Sequence, residues 1–98
     1  MRLTSQSPTS HAVTLGNATV LFSYGVPVAV HIEGEGYWRT QDNWSATTNR
    51  HVKAFTEGHA TMLAPQDAFD SGDILDFHYR LRIRERFAAV TASLKGGN

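Results

Sequence analysis

Ala12 to Thr40 read AVTLGNATVLFSYGVPVAVHIEGEGYWRT, and the fold class follows from that stretch. Val13, Thr14 and Leu15 form a short apolar run that stops at Gly16-Asn17. Glycine tolerates positive φ at the first central position of a two-residue hairpin loop, so the dipeptide signals a turn between strands. Ala18 to Tyr24 is rich in β-branched and aromatic residues, which suit a pleated surface, and Gly25 breaks it. In Val26 to Ile32, alternation puts Val26, Val28, Val30 and Ile32 on one face. Pro27 has no N–H to give to a ladder, so it suits the start or edge of a strand. Glu33-Gly34-Glu35-Gly36 is a polar turn, and Tyr37 to Thr40 is the return strand. The expectation is an antiparallel meander of three or four strands.

Beyond Thr40 the pattern turns helical. Ser45 or Thr47 can accept a bond from an unpaired first-turn N–H, so a helix is expected to begin there, run through His51, Val52 and Phe55, and end before Gly58. His59 to Ala64 reads as a connection. Pro65 fits the first turn of a short helix, with Asp67 near its positive end. The C-terminal stretch fits two patterns. Phe77, Tyr79, Leu81 and Ile83 alternate with His78, Arg80, Arg82 and Arg84 as in a strand. Tyr79, Ile83, Phe87, Val90 and Leu94 also form one helical stripe. A helix from about Asp73 to Leu94 is the preferred reading, with Ser71, Asp73 and Asp76 at its N-terminus and Gly96-Gly97 stopping it. Phe77 and Leu81 project from another side, so such a helix needs two covers: the sheet and, as one candidate, a second copy of the chain. The fold class is α+β: a small antiparallel sheet packed by two or three helices, the last of them long.

The 98 residues are enough for one domain and one core. Residues 1–11 read as a flexible polar tail and 12–98 as a single α+β domain. With 41% hydrophobic and 18% charged residues the chain is too apolar for disorder. It has no cysteine, which excludes disulfides and thiolate metal sites. No stretch has the length of a membrane span, and the N-terminus lacks the apolar core of a signal peptide. The expectation is a cytoplasmic protein with no membrane partner and no cofactor.

The formal net charge is zero, but it is unevenly spread. Glu33, Glu35, Asp42, Glu57, Asp67, Asp70, Asp73 and Asp76 make the middle acidic, and Arg80, Arg82, Arg84, Arg86 and Lys95 make the end basic. The two parts can pair with each other, or the basic end can form a contact surface. The arginine series could meet phosphates, with His78 or Tyr79 stacking on a base. It could equally pair with the acidic segment or lie over apolar surface.

Chemistry-bearing motifs are scarce. No two of His11, His31, His51, His59 and His78 are spaced i, i+4, so no metal-binding helix face is indicated. No serine sits in a nucleophile-elbow pattern. Glu33 and Glu35 lack the apolar surroundings that would raise a carboxyl pKa, and read as a solvated loop. Trp38 and Trp44 bracket the strand-to-helix junction; they read as core, or as binding hot spots if exposed. Thr47, Thr48, Arg50 and His51 are equally a cap bonded back to the sheet or an anion site at a helix N-terminus.

From Leu15 to Phe55 the chain resembles a family of short uncharacterised proteins carried by bacteriophages and related mobile elements. The resemblance rests on Gly16-Asn17, Phe22-Ser23-Tyr24, Pro27-Val28-Ala29 and Trp44-Ser45-Ala46-Thr47-Thr48-Asn49-Arg50-His51. Here Arg50 stands where lysine is common, and the arginine-rich end looks longer than usual. The resemblance implies a phage or prophage setting in a bacterial host and carries no activity with it. In that setting the expected function is non-catalytic binding. The leading form is an inhibitor of a host defence system, of the anti-CRISPR type, contacting a host protein or ribonucleoprotein complex. Zero net charge argues against a DNA mimic. The alternative is a nucleic-acid-binding accessory or regulatory protein using Arg50, Arg80, Arg82, Arg84 and Arg86. A homodimer is compatible with both. The candidate contact residues are Trp38, Trp44, Thr47, Thr48, Arg50, His51, Arg80, Arg82, Arg84 and Arg86.

Overall fold

The structure is a computed structural model that describes residues 2–7 and 9–96, with side chains over 9–86. Six strands form one sheet in sequential order. They are β1 (Arg2–Ser7), β2 (Ser10–Leu15), β3 (Ala18–Ser23), β4 (Val26–Ile32), β5 (Gly36–Thr40) and β6 (Thr61–Ala64). Helix α1 (Ala46–Thr56) carries the chain from β5 to β6. After β6 come α2 (Gln66–Ser71), a 3-10 turn (Asp73–Leu75) and α3 (Phe77–Gly96).

The class is α+β, and β1 to β5 form an antiparallel meander. Three expectations are corrected. Arg2–Ser7, read as tail, pairs with β2 as an edge strand. Thr61–Ala64, read as connection, is β6; it pairs parallel to β5 and makes the sheet mixed. The strand count is therefore six, where three or four were expected. Both missed strands lie at the sheet edges. An edge strand buries little, so Leu63 can stay exposed in β6 and the alternation that marks an inner strand is absent.

Hairpin loops set the register. Leu15 pairs with Ala18 across Gly16-Asn17, with φ +60° at Gly16. Ser23 pairs with Val26 across Tyr24-Gly25, where both residues have positive φ. The register shifts between Leu21 and Phe22, and Val28 is the unpaired extra residue of β4. The bulge turns Val28 and Ala29 to the same side.

The sheet is covered on both faces. On one, Val52 and Phe55 of α1 pack on Leu21, Val28 and Ala29, with Val26 beside them. Complete burial of a side chain such as Val52 contributes about 1.5–3 kcal/mol. On the other, Ala18, Val20, Val30, Ile32 and Trp38 meet Ala64, Ala68, Phe69 and Ile74, with Tyr79 and Ile83 of α3 closing over them.

The ambiguous C-terminal stretch is helical. It starts at Phe77, later than Asp73, because Asp76 is extended and its carboxylate accepts the N–H of His78 at 3.0 Å. Phe77 is half exposed. Phe87, Val90 and Leu94, the rest of the predicted stripe, lie outside the described side chains.

One ion pair fixes α3. Arg80 is 3% exposed. Its Nε and Nη2 donate to the two oxygens of Glu35 at 3.1 and 2.7 Å, and Nη1 donates to the carbonyl of Ile74 at 2.9 Å. Nη1 of Arg84 lies 3.7 Å from the same carboxylate. The solvated-loop reading of Glu35 is thus overturned, and the expected pairing between acidic middle and basic end is present here. The Arg80 hydrogen bond, with the charges of Arg80 and Arg84, holds the Glu35 carboxyl below the ordinary glutamate value against the opposing effect of burial. A lowered folded-state pKa contributes stability that is present above the unfolded value and is lost as pH falls through the folded one. Unfolding measured against pH should therefore show stability falling below the ordinary glutamate range, with a shallower fall in Glu35→Gln. At neutral pH Glu35→Gln should cost about 3 kcal/mol, because the buried guanidinium loses its counter-charge. An unchanged neutral stability would show the pair to be dispensable.

Candidate functional site

One end of the sheet gathers the residues of interest. Strands β1, β3, β5 and β6 end there, and β2, β4, α1 and α2 begin there. Its parts are the Tyr24-Gly25 loop, the residues from Gln41 to Ser45, and the first turns of α1 and α2.

Helix α1 is bound to this end by hydroxyls and one imidazole. Ser45 is the N-cap, and its Oγ accepts from the N–H of Thr48 at 3.2 Å. One turn of helix places Thr48 and His51 on the same side, and that side faces the end of β3. Ser23 Oγ lies 2.9 Å from Thr48 Oγ1 and 2.8 Å from His51 Nδ1. On the far side of the ring, His51 Nε2 lies 3.3 Å from Thr9 Oγ1. Ser23 and Thr48 are buried, at 2% and 5% exposure. Buried hydroxyls need such partners, since an unpaired one costs about 1–3 kcal/mol.

A serine beside a histidine invites comparison with a nucleophilic pair, and sequence spacing gave no sign that Ser23 and His51 would meet. The geometry argues for structure. Ser23 is closed off from solvent, it is already shared with Thr48, and the second ring nitrogen faces a threonine hydroxyl where an orienting carboxylate would be needed.

What this arrangement presents outward is different in kind. Tyr24 is 58% exposed and sits at φ +52°, a region bulky residues rarely adopt. A loop with positive φ at both positions favours Asn-Gly, so tyrosine is held there at a cost of about 1–3 kcal/mol. Its ring lies 5.9 Å from that of His51. Trp44, just before the cap, is 38% exposed, and its Nε1 donates to Gln66 Oε1 at 3.2 Å. Gln66 in turn donates to the carbonyl of Pro27 at 2.7 Å. Arg50 is exposed, and its Nη2 donates to Thr47 Oγ1 at 3.2 Å.

The ten candidate residues therefore divide. Trp44, Thr47 and Arg50 are just before or within the first turns of α1, which begins at the sheet end that carries the Tyr24-Gly25 loop. Thr48 and His51 are beside them but are used in the bond to β3, which favours the cap reading of Thr47-Thr48-x-Arg50-His51. Trp38 is fully buried in the core and touches no solvent. The arginine series is elsewhere, on α3: Arg80 is buried, Arg84 is turned towards Glu35, and Arg82 and Arg86 are exposed. His31, Tyr37, Phe55 and His59 form a separate ring cluster, with Tyr37 stacked on His59 at 5.6 Å. Among the described residues no three His, Asp or Glu side chains are grouped to hold a metal ion. None of the described helices is long and apolar enough to cross a membrane.

Residues 1–71 match the model of a family of unknown function, DUF8033. The chain belongs to that family. The match takes in all six strands, α1 and α2, and so the whole sheet end; the 3-10 turn and α3 lie beyond it. No curated protein and no solved structure matches the chain.

Substitutions should separate the inner from the outer residues. Ser23→Ala and Thr48→Val should each cost about 1–3 kcal/mol in denaturant unfolding. Thr47→Ala and Arg50→Ala should stay within about 0.5 kcal/mol. Equal costs for the two sets would contradict the division.

Proposed function

We propose that the protein is a non-catalytic binding module whose contact surface is the sheet end carrying Tyr24, Trp44 and Arg50. The observation that carries this reading is Tyr24, an exposed aromatic held at positive φ where Asn would fit without strain. Strain kept at an exposed position points to use. Tyr, Trp and Arg are also the residue types in which interface hot spots are enriched. Two aromatic rings and a guanidinium group around one helix start suit a protein partner. In the phage or mobile-element setting implied by the Phe22-Ser23-Tyr24 and Trp44-to-His51 motifs, that partner is a host defence complex, and the chain acts as an inhibitor of the anti-CRISPR type in the host cytoplasm.

The nucleic-acid alternative has less support. It needs the arginine series as one basic face, yet Arg80 is buried against Glu35 and Arg84 shares that carboxylate. Arg82 and Arg86 alone are a small electrostatic footprint.

The test is phage challenge of a bacterial host with CRISPR immunity that expresses the chain. Wild type should restore plaques. The triple variant Tyr24→Asn/Trp44→Ala/Arg50→Ala should not, while remaining folded; Tyr24→Asn alone should raise stability by about 0.5 kcal/mol or more by relieving the turn. Absence of protection by wild type would sink the inhibitor reading. If, in addition, binding to DNA or RNA fell steeply with salt and vanished in Arg82→Ala/Arg86→Ala, the alternative would replace it.

A further inference from the structure

Strand β6 closes the sheet on one side, and among the described residues no strand lies beyond it. The ladder fixes which of its backbone groups are used. The carbonyl of Ala64 accepts from the N–H of Gln41, the residue after β5, at 2.9 Å. Alternate residues of a strand turn their N–H and C=O to opposite sides. Ala64 and Met62 therefore turn theirs to β5, and Thr61 and Leu63 turn theirs outward. Natural edges are guarded by charge, proline, a bulge or shortness. Shortness is the one guard of β6: Thr61, Met62, Leu63 and Ala64 are uncharged, and Pro65 stands just past the strand. Side chains alternate as well. Leu63, 53% exposed, is thus on the α1 face, opposite to Met62, which packs beside the core on the α3 face. On that second face a cavity of about 320 Å³ lies between β6 and α3, lined by Trp38, Thr61, Met62, Leu63, Ile83 and Arg84. Apolar surface runs round the edge from one face to the other.

We propose that β6 pairs antiparallel with β6 of a second copy of the chain, about a two-fold axis at Met62. Thr61 then faces Leu63 of the second copy, and Leu63 faces its Thr61, each pair exchanging two N–H···O=C bonds. All outward groups of Thr61 and Leu63 are used, and the ladder stops at Pro65, which has no N–H to extend it. The two Met62 residues meet on the cavity side, where a flexible thioether suits irregular space. A foreign strand would find the same backbone groups. The second copy is favoured because the strand matches itself: no charge meets a like charge, and the outward groups are symmetric about Met62. Four residues of strand bury less than the about 800 Å² per partner of a stable interface. Helix α3 can supply the rest, for at Arg84 it has reached β6 and residues 85–96 still follow, about 18 Å of helix. No residue of the Tyr24–Trp44–Arg50 surface is in β6, so the two readings are independent.

Sedimentation equilibrium of the full chain from about 1 μM to about 1 mM measures the association. Wild type should be a concentration-dependent dimer. Leu63→Lys, at an exposed position, should weaken it at least tenfold. Thr61→Glu/Leu63→Lys should recover most of that loss, since the new carboxylate at position 61 faces the new ammonium at position 63 of the other copy. Should Leu63→Lys unfold, Leu63→Pro removes an N–H that the ladder with β5 does not use, and it should weaken the dimer as much. A monomer at every concentration, a dimer unaffected by the Leu63 variants, or no recovery in the double variant would overturn the proposal.

Discussion

A single serine hydroxyl, that of Ser23, holds the start of α1 against the sheet. It meets Thr48 from the first turn of the helix and His51 from the next, at 2.9 and 2.8 Å. Two anchors one turn apart fix both the rotation of the helix about its axis and its height on β3. The apolar contacts of Val52 and Phe55 with Leu21, Val28 and Ala29 supply area without direction; the hydroxyl and imidazole supply the register. With α1 so placed, the His51 ring comes to 5.9 Å from that of Tyr24, and Trp44 and Arg50 are at the start of α1, at the same end of the sheet. Rotation by one residue would bury Thr47 and Arg50 and expose the polar anchors.

A second polar constraint governs the other half of the molecule. The buried Arg80 reaches back to Glu35 in the β4–β5 turn and to the carbonyl of Ile74, and so ties α3 to both the sheet and the 3-10 turn. A buried ion pair is weak evidence of stability for its own sake, since desolvation offsets most of its attraction. Its effect is directional: it presents Ile83 and Arg84 to Trp38 and β6, and that meeting forms the cavity. Because α3 lies beyond the part of the chain matched by the family model, Trp38, Thr61, Met62 and Leu63 of the cavity wall belong to the family's sheet while Ile83 and Arg84 come from an element outside it.

Much of this was legible in the sequence and some was not, for definite reasons. The inner strands announced themselves through Gly16-Asn17 and Gly25, and the start of α1 through Ser45, because local turn and cap chemistry is written in local residues; the single face read for Val26, Val28, Val30 and Ile32 does not hold, since the bulge at Val28 leaves Val26 and Val28 on the α1 side and Val30 and Ile32 on the other. Strands β1 and β6 were not legible, since edge strands with one neighbour need neither alternation nor a long apolar run. The helical stripe through Tyr79 and Ile83 was visible, and pairing of the arginine series with the acidic segment was one of the readings, but no local pattern singled out Glu35 as the partner beside which Arg80 is buried. Thr48 and His51 were visible as a group without a role. Their partner, Ser23, is 25 and 28 residues away, and no spacing rule reaches that far. Tyr24 carried a signal that was available: an aromatic residue where a two-residue loop calls for Asn.

The central claim is that Ser23 and His51 act together to set α1 on the sheet. A double-mutant cycle on Ser23→Ala and His51→Ala, read by equilibrium unfolding in urea, measures that directly. The account predicts that the two losses are not additive, with a coupling of about 1 kcal/mol or more. Additive losses within about 0.3 kcal/mol would contradict it, and would leave α1 positioned by its apolar contacts alone.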